Sequence, residues 1–301
     1  MRTYDGISIK LSSDKEIDAT IEAYNKIDKE KLKCLIENFK IKEPQKKPKE
    51  NYLQRMIKLH AIGVRYELVP YFASILGFKG KINRKKMDDI KNLETEIYGS
   101  LISDFESEKN MHFYLYKGVP TYLTGNAIRE NYVKILKESL LAHGLKPKNI
   151  LEVGCGHIQN AKFLTKELQI EYMGFDYSFA RVAIGKMLDK KWNVWCGDGT
   201  AIPLKDKSID LCFTAHVLER MGNQTVAMLK EIARVSKFYT CFEPVYEHQN
   251  LFGKIHNRKC DYPRNLKKAF AEARMEIVEE IKTDTGAPFN LSTFYLLKCP
   301  R

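Results

Sequence analysis

From residue 149 onward the apolar residues of this chain fall into short, nearly unbroken runs, at 150–153, 172–175, 194–195, 209–214 and 238–242. Stretches with apolar residues at helical spacing separate them. A strand covered on both faces reads as a short apolar run, and alternation of such runs with helices predicts an α/β domain built on a doubly wound, mostly parallel sheet. The end of the chain breaks the alternation. "MEIVEEIKTD" and "LSTFYLLKCP" are two strand-like segments with only "TGAPFN" between them, which predicts an antiparallel C-terminal hairpin at a sheet edge. Ahead of the first run, "NAIRENYVKILKESLLAHG" predicts an amphipathic helix with Asn126 as its cap and Gly144 as its terminator.

The first half is patterned differently. Ile17, Ile21, Tyr24, Ile27, Leu32, Leu35, Ile36 and Phe39 recur at near-helical spacing behind a capping Asp14, so 14–39 is expected to be helical. A proline- and lysine-bearing linker follows at 42–49, then helical patterns at 52–76, broken before Pro70, and at 87–105. Neither strand-like alternation nor an internal repeat is evident here. The expected organisation is a mostly helical N-terminal domain at 1–125, serving as a substrate cover or in interaction, and an α/β domain at 126–301.

Composition narrows the picture. The 301 residues are 44% hydrophobic, enough for one full domain core and a smaller second domain. The longest charge-free apolar segment, 68–78, contains Pro70 and falls short of the roughly 20 residues needed to span a bilayer, so no membrane partner is expected. The N-terminus lacks the apolar core and cleavage site of a secretory signal. Seven cysteines occur without any C-x-x-C pair, which fits reduced thiols, a cytoplasmic location and no metal site. The formal net charge of +12 is spread over both halves, with local runs at 40–49 and 79–86. Such a balance suits a phosphate-bearing partner or simply a solvated surface.

The candidate chemistry lies in three places. In "LEVGCGHIQ", Gly154 and Gly156 follow a predicted strand and open a predicted helix, where glycine permits a tight turn and close approach of a ligand. Asp176 ends the next strand in "GFDYS", where a carboxylate accepts ribose hydroxyls or caps the following helix. Asp198 ends the third strand segment in "CGDGT", and Asp210 begins a strand after a short polar turn.

Together, "LEVGCG", "GFDYS", "GDGTAIPLKDKSIDLCFTAHVLERM" and "LKEIARVSKFYTCFEP" resemble, in order and spacing, the motifs of the class I S-adenosylmethionine-dependent methyltransferases of the small-molecule-type branch. The resemblance spans about 149–243 and implies a Rossmann-like fold. It implies that Glu152, Gly154, Cys155 and Gly156 line the methionine portion of S-adenosyl-L-methionine. Asp176 and Tyr177 would meet the ribose side, Asp198 would accept from the adenine amine, and Gly197, Gly199 and Thr200 would lie beside it. His216 would face the methyl-transfer region. One departure stands out, since Ile158 occupies the position where the family commonly has a third glycine.

Candidate general bases follow the fourth and fifth strands, where acceptors enter this fold: His216, Glu219, Glu243, Glu247, His248 and His256, with His216, Glu243 and His248 taken as the catalytic set. The aromatic stretch "MHFYLYKGVPTYLTG" at 111–125 reads either as a lid over the acceptor or as packing between domains. Methyl transfer to an oxygen or nitrogen of a small-molecule or glycan-like acceptor is the leading expectation. It agrees with "TAHV" standing where base-modifying enzymes carry N/D-P-P-Y/F. The alternatives are an RNA methyltransferase using Lys81, Arg84, Lys85 and Lys86, and a non-catalytic subunit that only binds the cofactor. The acceptor, the methylated atom and the oligomeric state stay open.

Overall fold

The structure is a computed structural model and describes residues 2–25, 115–116, 119–120, 126–259, 262–287 and 290–300. Its centre is a nine-stranded sheet. Five parallel strands form the middle: β5 (Asn149–Val153), β6 (Glu171–Asp176), β7 (Asn193–Gly197), β8 (Ile209–Ala215) and β9 (Ser236–Pro244). The hairpin β10 (Glu276–Ala287) and β11 (Asn290–Lys298) adds on antiparallel through β11. With β1 (Arg2–Tyr4) and β2 (Ile7–Lys10) from the start of the chain, the spatial order is β1-β2-β7-β6-β5-β8-β9-β11-β10. The chain moves outward from β5 in one direction through β6 and β7, then returns to its other side for β8 and β9. Strand order therefore reverses between β5 and β8, where an open α/β sheet leaves a crevice beyond its carboxyl ends. The five expected strand runs and the antiparallel C-terminal pair are all present.

The start of the chain departs from expectation. Residues read as lacking any strand form β1 (Arg2–Tyr4) and β2 (Ile7–Lys10), an antiparallel hairpin turning through Asp5 and Gly6, both at positive φ (48° and 72°). An Asp-Gly pair suits such a two-residue turn. β2 then pairs in parallel with β7, Ile9 opposite Cys196 and Lys10 opposite Gly197. Strands this short carry little pattern of their own. Ile7 and Ile9 are buried by residues far along the chain.

Helix α1 (Asp14–Asn25) matches the described part of the expected 14–39 helix. The rest of that helix, the linker, the helical patterns at 52–76 and 87–105, the basic runs and most of 111–125 lie outside the described residues. Within the aromatic stretch, β3 (Leu115–Tyr116) and β4 (Val119–Pro120) form a short antiparallel pair.

Helices cover both faces of the sheet. On one face lie α1, α2 (Asn126–Ala142), α3 (Ala161–Leu168) and α4 (Phe179–Leu188), with Tyr132, Val133, Leu136 and Leu140 of α2 buried at helical spacing. On the other, α5 (Thr225–Val235) and α7 (Leu266–Glu272) pack Met228, Leu229, Ile232 and Phe270 against β8, β9 and β11. Between β9 and α7 lies α6 (Leu251–Lys259). Cys155, Cys196, Cys212, Cys241 and Cys299 are buried free thiols. Among the described residues no helix is long and apolar enough to cross a membrane.

Candidate functional site

A cavity of about 330 Å³ opens at the carboxyl ends of β5, β6, β7 and β8. Register explains why its lining comes from separated stretches. Val153 lies opposite Phe175 and Asp176 opposite Cys196, so the loops after the three strands leave the sheet at one level.

The first loop is held by main chain. The amides of Gly154 and Cys155 both donate to the Phe175 carbonyl, at 2.8 and 2.9 Å. Gly154 (φ 74°) leaves no room for a side chain, since a Cβ there would lie 2.5 Å from Val217 Cγ2. A Cβ on Gly156 (φ 52°) would instead point into open space, and this glycine lines the cavity. Ile158 also adopts positive φ, 61°, an uncommon conformation for a β-branched residue. Its buried side chain is received by Gly185 on α4, where a Cβ would come within 2.5 Å of Ile158 Cδ1. The missing third glycine is thus matched by a glycine on the neighbouring helix.

Asp176 joins the first two loops. Its Oδ2 accepts from the Gly156 amide and its Oδ1 from the Ser178 amide, each at 2.9 Å, while the residue itself lines the cavity. Tyr177, Gly197, Asp198, Gly199 and Cys155 also line it. Thr200 stands behind, its amide and hydroxyl both donating to Asp198 Oδ1, at 2.8 and 2.9 Å.

Glu152 is placed differently from what the resemblance implies. It is 1% exposed and reaches the cavity only through a neighbour: its Oε1 accepts from Asn160 Nδ2 at 2.6 Å, and its Oε2 from the Tyr172 hydroxyl at 2.6 Å. Burial pushes its carboxyl up to about 7, against the opposing pull of those two hydrogen bonds and of Arg129. Arg129 donates to Gln159 Oε1, and Arg129, Gln159 and Asn160 all line the cavity. Among the described residues, Gln159 Nε2, Asn160 Oδ1 and Gln224 Oε1 are buried lining atoms that have no hydrogen-bond partner. One donor and two acceptors left in this state suit a polar ligand that satisfies them.

The fourth loop brings His216 to the cavity. Its backbone sits at φ 58°, with its amide donating to Phe242 O at 2.9 Å. The ring Nδ1 is 3.1 Å from Glu219 Oε2, and Nε2 lies 2.9 Å from both the Tyr132 hydroxyl and Ser292 Oγ. Burial alone would lower its pKa. The Glu219 carboxylate, with Tyr132 and Glu243 behind it, prevails and holds the ring protonated well above the ordinary imidazole range. His157, which also lines the cavity, is pushed down to about 3 by burial and by Arg181 and Arg129, and is neutral.

The other two members of the expected catalytic set are not brought to the cavity. Glu243 is fully buried, and its carboxylate accepts from the Val217 amide (2.9 Å), the Thr214 hydroxyl (3.1 Å) and the Glu219 amide (3.4 Å). It fastens the loop after β8 to the end of β9. His248 is bonded to Thr293 Oγ1 at 2.8 Å and paired with Glu280 at 3.2 Å. Glu247 is exposed, and the His256 side chain lies outside the described residues. Sequence reasoning missed Arg129, Gln159, Asn160, Arg181 and Gln224. For Arg129 a signal existed, since it stands one turn before the buried Tyr132 on a helix that packs against the sheet.

Comparison with known proteins bears on the domain that carries this cavity. Residues 151–238 match the family described as "Methyltransferase domain". The chain is 27% identical over 142 residues to ajmaline N-methyltransferase of Rauvolfia serpentina, covering 43% of this chain and 48% of that one. It is 29% identical over 133 residues to norajmaline N-methyltransferase of the same plant, covering 41% and 44% respectively. The chain thus spans about half the length of the curated relatives it matches. Among solved structures, magnesium protoporphyrin IX methyltransferase from Synechocystis PCC 6803, with bound SAH, superposes with a TM-score of 0.51 at 14% identity. That match covers 70% of this chain and 100% of that one, a likeness of fold.

Proposed function

We infer that this chain, which carries a methyltransferase domain of the class I, S-adenosylmethionine-dependent kind, transfers a methyl group from that cofactor to an oxygen or nitrogen of a small-molecule or glycan-like acceptor. The observation that carries the reading is the convergence of Gly154, Gly156, Asp176 and Asp198 on one cavity. The residues present fit the cofactor. Asp176, preorganised by two backbone amides, is the acceptor for ribose hydroxyls, and Asp198, held by Thr200, is the acceptor for an exocyclic amine. The unpaired Asn160 Oδ1 is the acceptor for an ammonium beside Gly154, Cys155 and Gly156.

When bound, S-adenosylmethionine supplies an electrophilic sulfonium methyl. The protein's own part is alignment and exclusion of water, and orientation alone contributes on the order of 7 kcal/mol or more. His216, protonated and bonded through both ring nitrogens, acts as a charged support of the rim and takes no proton. A neutral amine presents its lone pair without a base, so nitrogen is favoured over oxygen. The names of the two plant relatives support that preference.

The test is transfer of labelled methyl from S-adenosylmethionine into cytosolic fractions, with RNA, protein and small-molecule or glycan pools separated. Label is expected in the small-molecule or glycan pool, reduced at least tenfold (about 1.4 kcal/mol or more) by Asp176→Ala. Nuclease-sensitive label in RNA would overturn the acceptor reading.

A further inference from the structure

We propose that Gln159 and Asn160 form a matched donor and acceptor for the two charged groups at the amino-acid end of the cofactor. Gln159 Nε2 donates to its carboxylate beside the Asn160 acceptor for its ammonium, and Arg129 is a positioning residue that sets which way the Gln159 amide faces. This rests on the S-adenosylmethionine reading above and deepens it.

A carboxamide carries one donor group and one acceptor, and the one a neighbour takes decides which is left. Both amides here are committed on one side. A guanidinium only donates, so the bond from Arg129 occupies Gln159 Oε1 and leaves Nε2, a donor. Asn160 is committed in the opposite sense. Its Nδ2 donates to Glu152 Oε1 at 2.6 Å, which leaves Oδ1, an acceptor. The other oxygen of Glu152 accepts from the Tyr172 hydroxyl, which occupies space that Gly174 keeps clear: a Cβ there would lie 2.6 Å from that hydroxyl. Glu152 and Gly174 stand opposite each other in the β5–β6 register.

Two observations mark the remaining atoms as ligand contacts. Asn160 stands immediately before α3, where an asparagine side chain ordinarily accepts from an amide of the first turn, yet it makes no such bond. Gln159 Nε2 and Asn160 Oδ1 are also buried, and among the described residues neither has a hydrogen-bond partner. Buried polar atoms are rarely left in that state. Both residues line the cavity together with Gly154 and Gly156. A donor and an acceptor on consecutive residues match a carboxylate and an ammonium borne by a single carbon, which is the end group of S-adenosylmethionine.

Calorimetric titration into the full chain tests this with S-adenosylhomocysteine, the same molecule lacking its carboxylate, and the same molecule lacking its amino group. Gln159→Leu is expected to weaken S-adenosylhomocysteine at least about tenfold, the scale of one hydrogen bond to a charged group, and to leave the decarboxylated ligand unchanged. Asn160→Leu is expected to show the converse selectivity, sparing the ligand that lacks an amino group. Gln159→Glu keeps the side-chain length and the bond from Arg129 while turning the donor into an acceptor. It is expected to weaken S-adenosylhomocysteine more than Gln159→Leu does, and it keeps the test open if the leucine variant folds poorly. In the Gln159→Leu background, Arg129→Leu is expected to cost nothing further. Failure of the unmodified chain to bind S-adenosylhomocysteine would refute the cofactor reading itself. Binding by the unmodified chain with no loss in the variants, or with equal losses for whole and trimmed ligands, would overturn the paired recognition. A further loss in the double variant would overturn the positioning role of Arg129 alone.

Discussion

Glu152 is a carboxylate enclosed by protein, and its ionisation is set against the stability of the fold. The folded state raises its pKa from 4.5 to about 7, so the folded chain binds this proton more tightly than the unfolded one. The resulting stabilisation is complete below pH 4.5 and is lost as pH rises to about 7, on the order of 3 kcal/mol in all. Glu243 titrates in the same direction and also reaches about 7. Glu152→Gln keeps an acceptor for Asn160 and carries no charge. Its melting temperature, relative to the unmodified chain, is expected to climb between pH 4.5 and 7 and then level off. A thermal melt series across pH 4.5–8 reads this, and a constant difference would refute it. At this scale the sequence was half legible. The glycines and Asp176 announce themselves by type and spacing. An acidic residue near a strand end does not reveal whether it faces a cavity or, like Glu152, the buried pair Tyr172 and Asn160.

The packing of α4 against the first loop decides how a left-handed isoleucine is tolerated. Gly185→Ala places a methyl 2.5 Å from Ile158 Cδ1 and 2.9 Å from the His157 carbonyl carbon. The side chain can yield, but the main-chain atom belongs to the cavity wall. Chemical denaturation is expected to show a loss of about 1–3 kcal/mol, typical of overpacking, and titration a weaker affinity for S-adenosylhomocysteine. Unchanged stability would show that α4 shifts freely. Parallel strands and the C-terminal pair were readable because burial on both faces writes itself as continuous apolar residues. Such burial is local information. The β1–β2 hairpin was not readable because its strands are only three and four residues long, and the parallel partner of Ile9 is Cys196, far along the chain.

Across the whole molecule, the hairpin finishes the β7 side of the sheet. Without residues 1–25, β7 becomes an unpaired edge and Phe179 loses Tyr4 and Tyr24. An exposed sheet edge is a template for pairing with another chain. A version beginning at residue 126 is therefore expected to associate concentration-dependently in light scattering, whereas the full chain is expected to scatter less at equal concentration. Equal behaviour would show that the hairpin is not needed as a cover. The division proposed at residue 125 then needs one amendment, with 2–25 counted alongside the sheet. That placement also changes what kind of object the intervening chain is. Asn25 ends the described part of α1, which packs against α4, and Asn126 opens a helix packed on α3 and β10. Residues 26–125 accordingly connect two points of one sheet-centred body. Fixing the two ends of a connection costs entropy that grows only logarithmically with its length, so the stability of the sheet is expected to depend on where those ends are anchored far more than on how many residues lie between them.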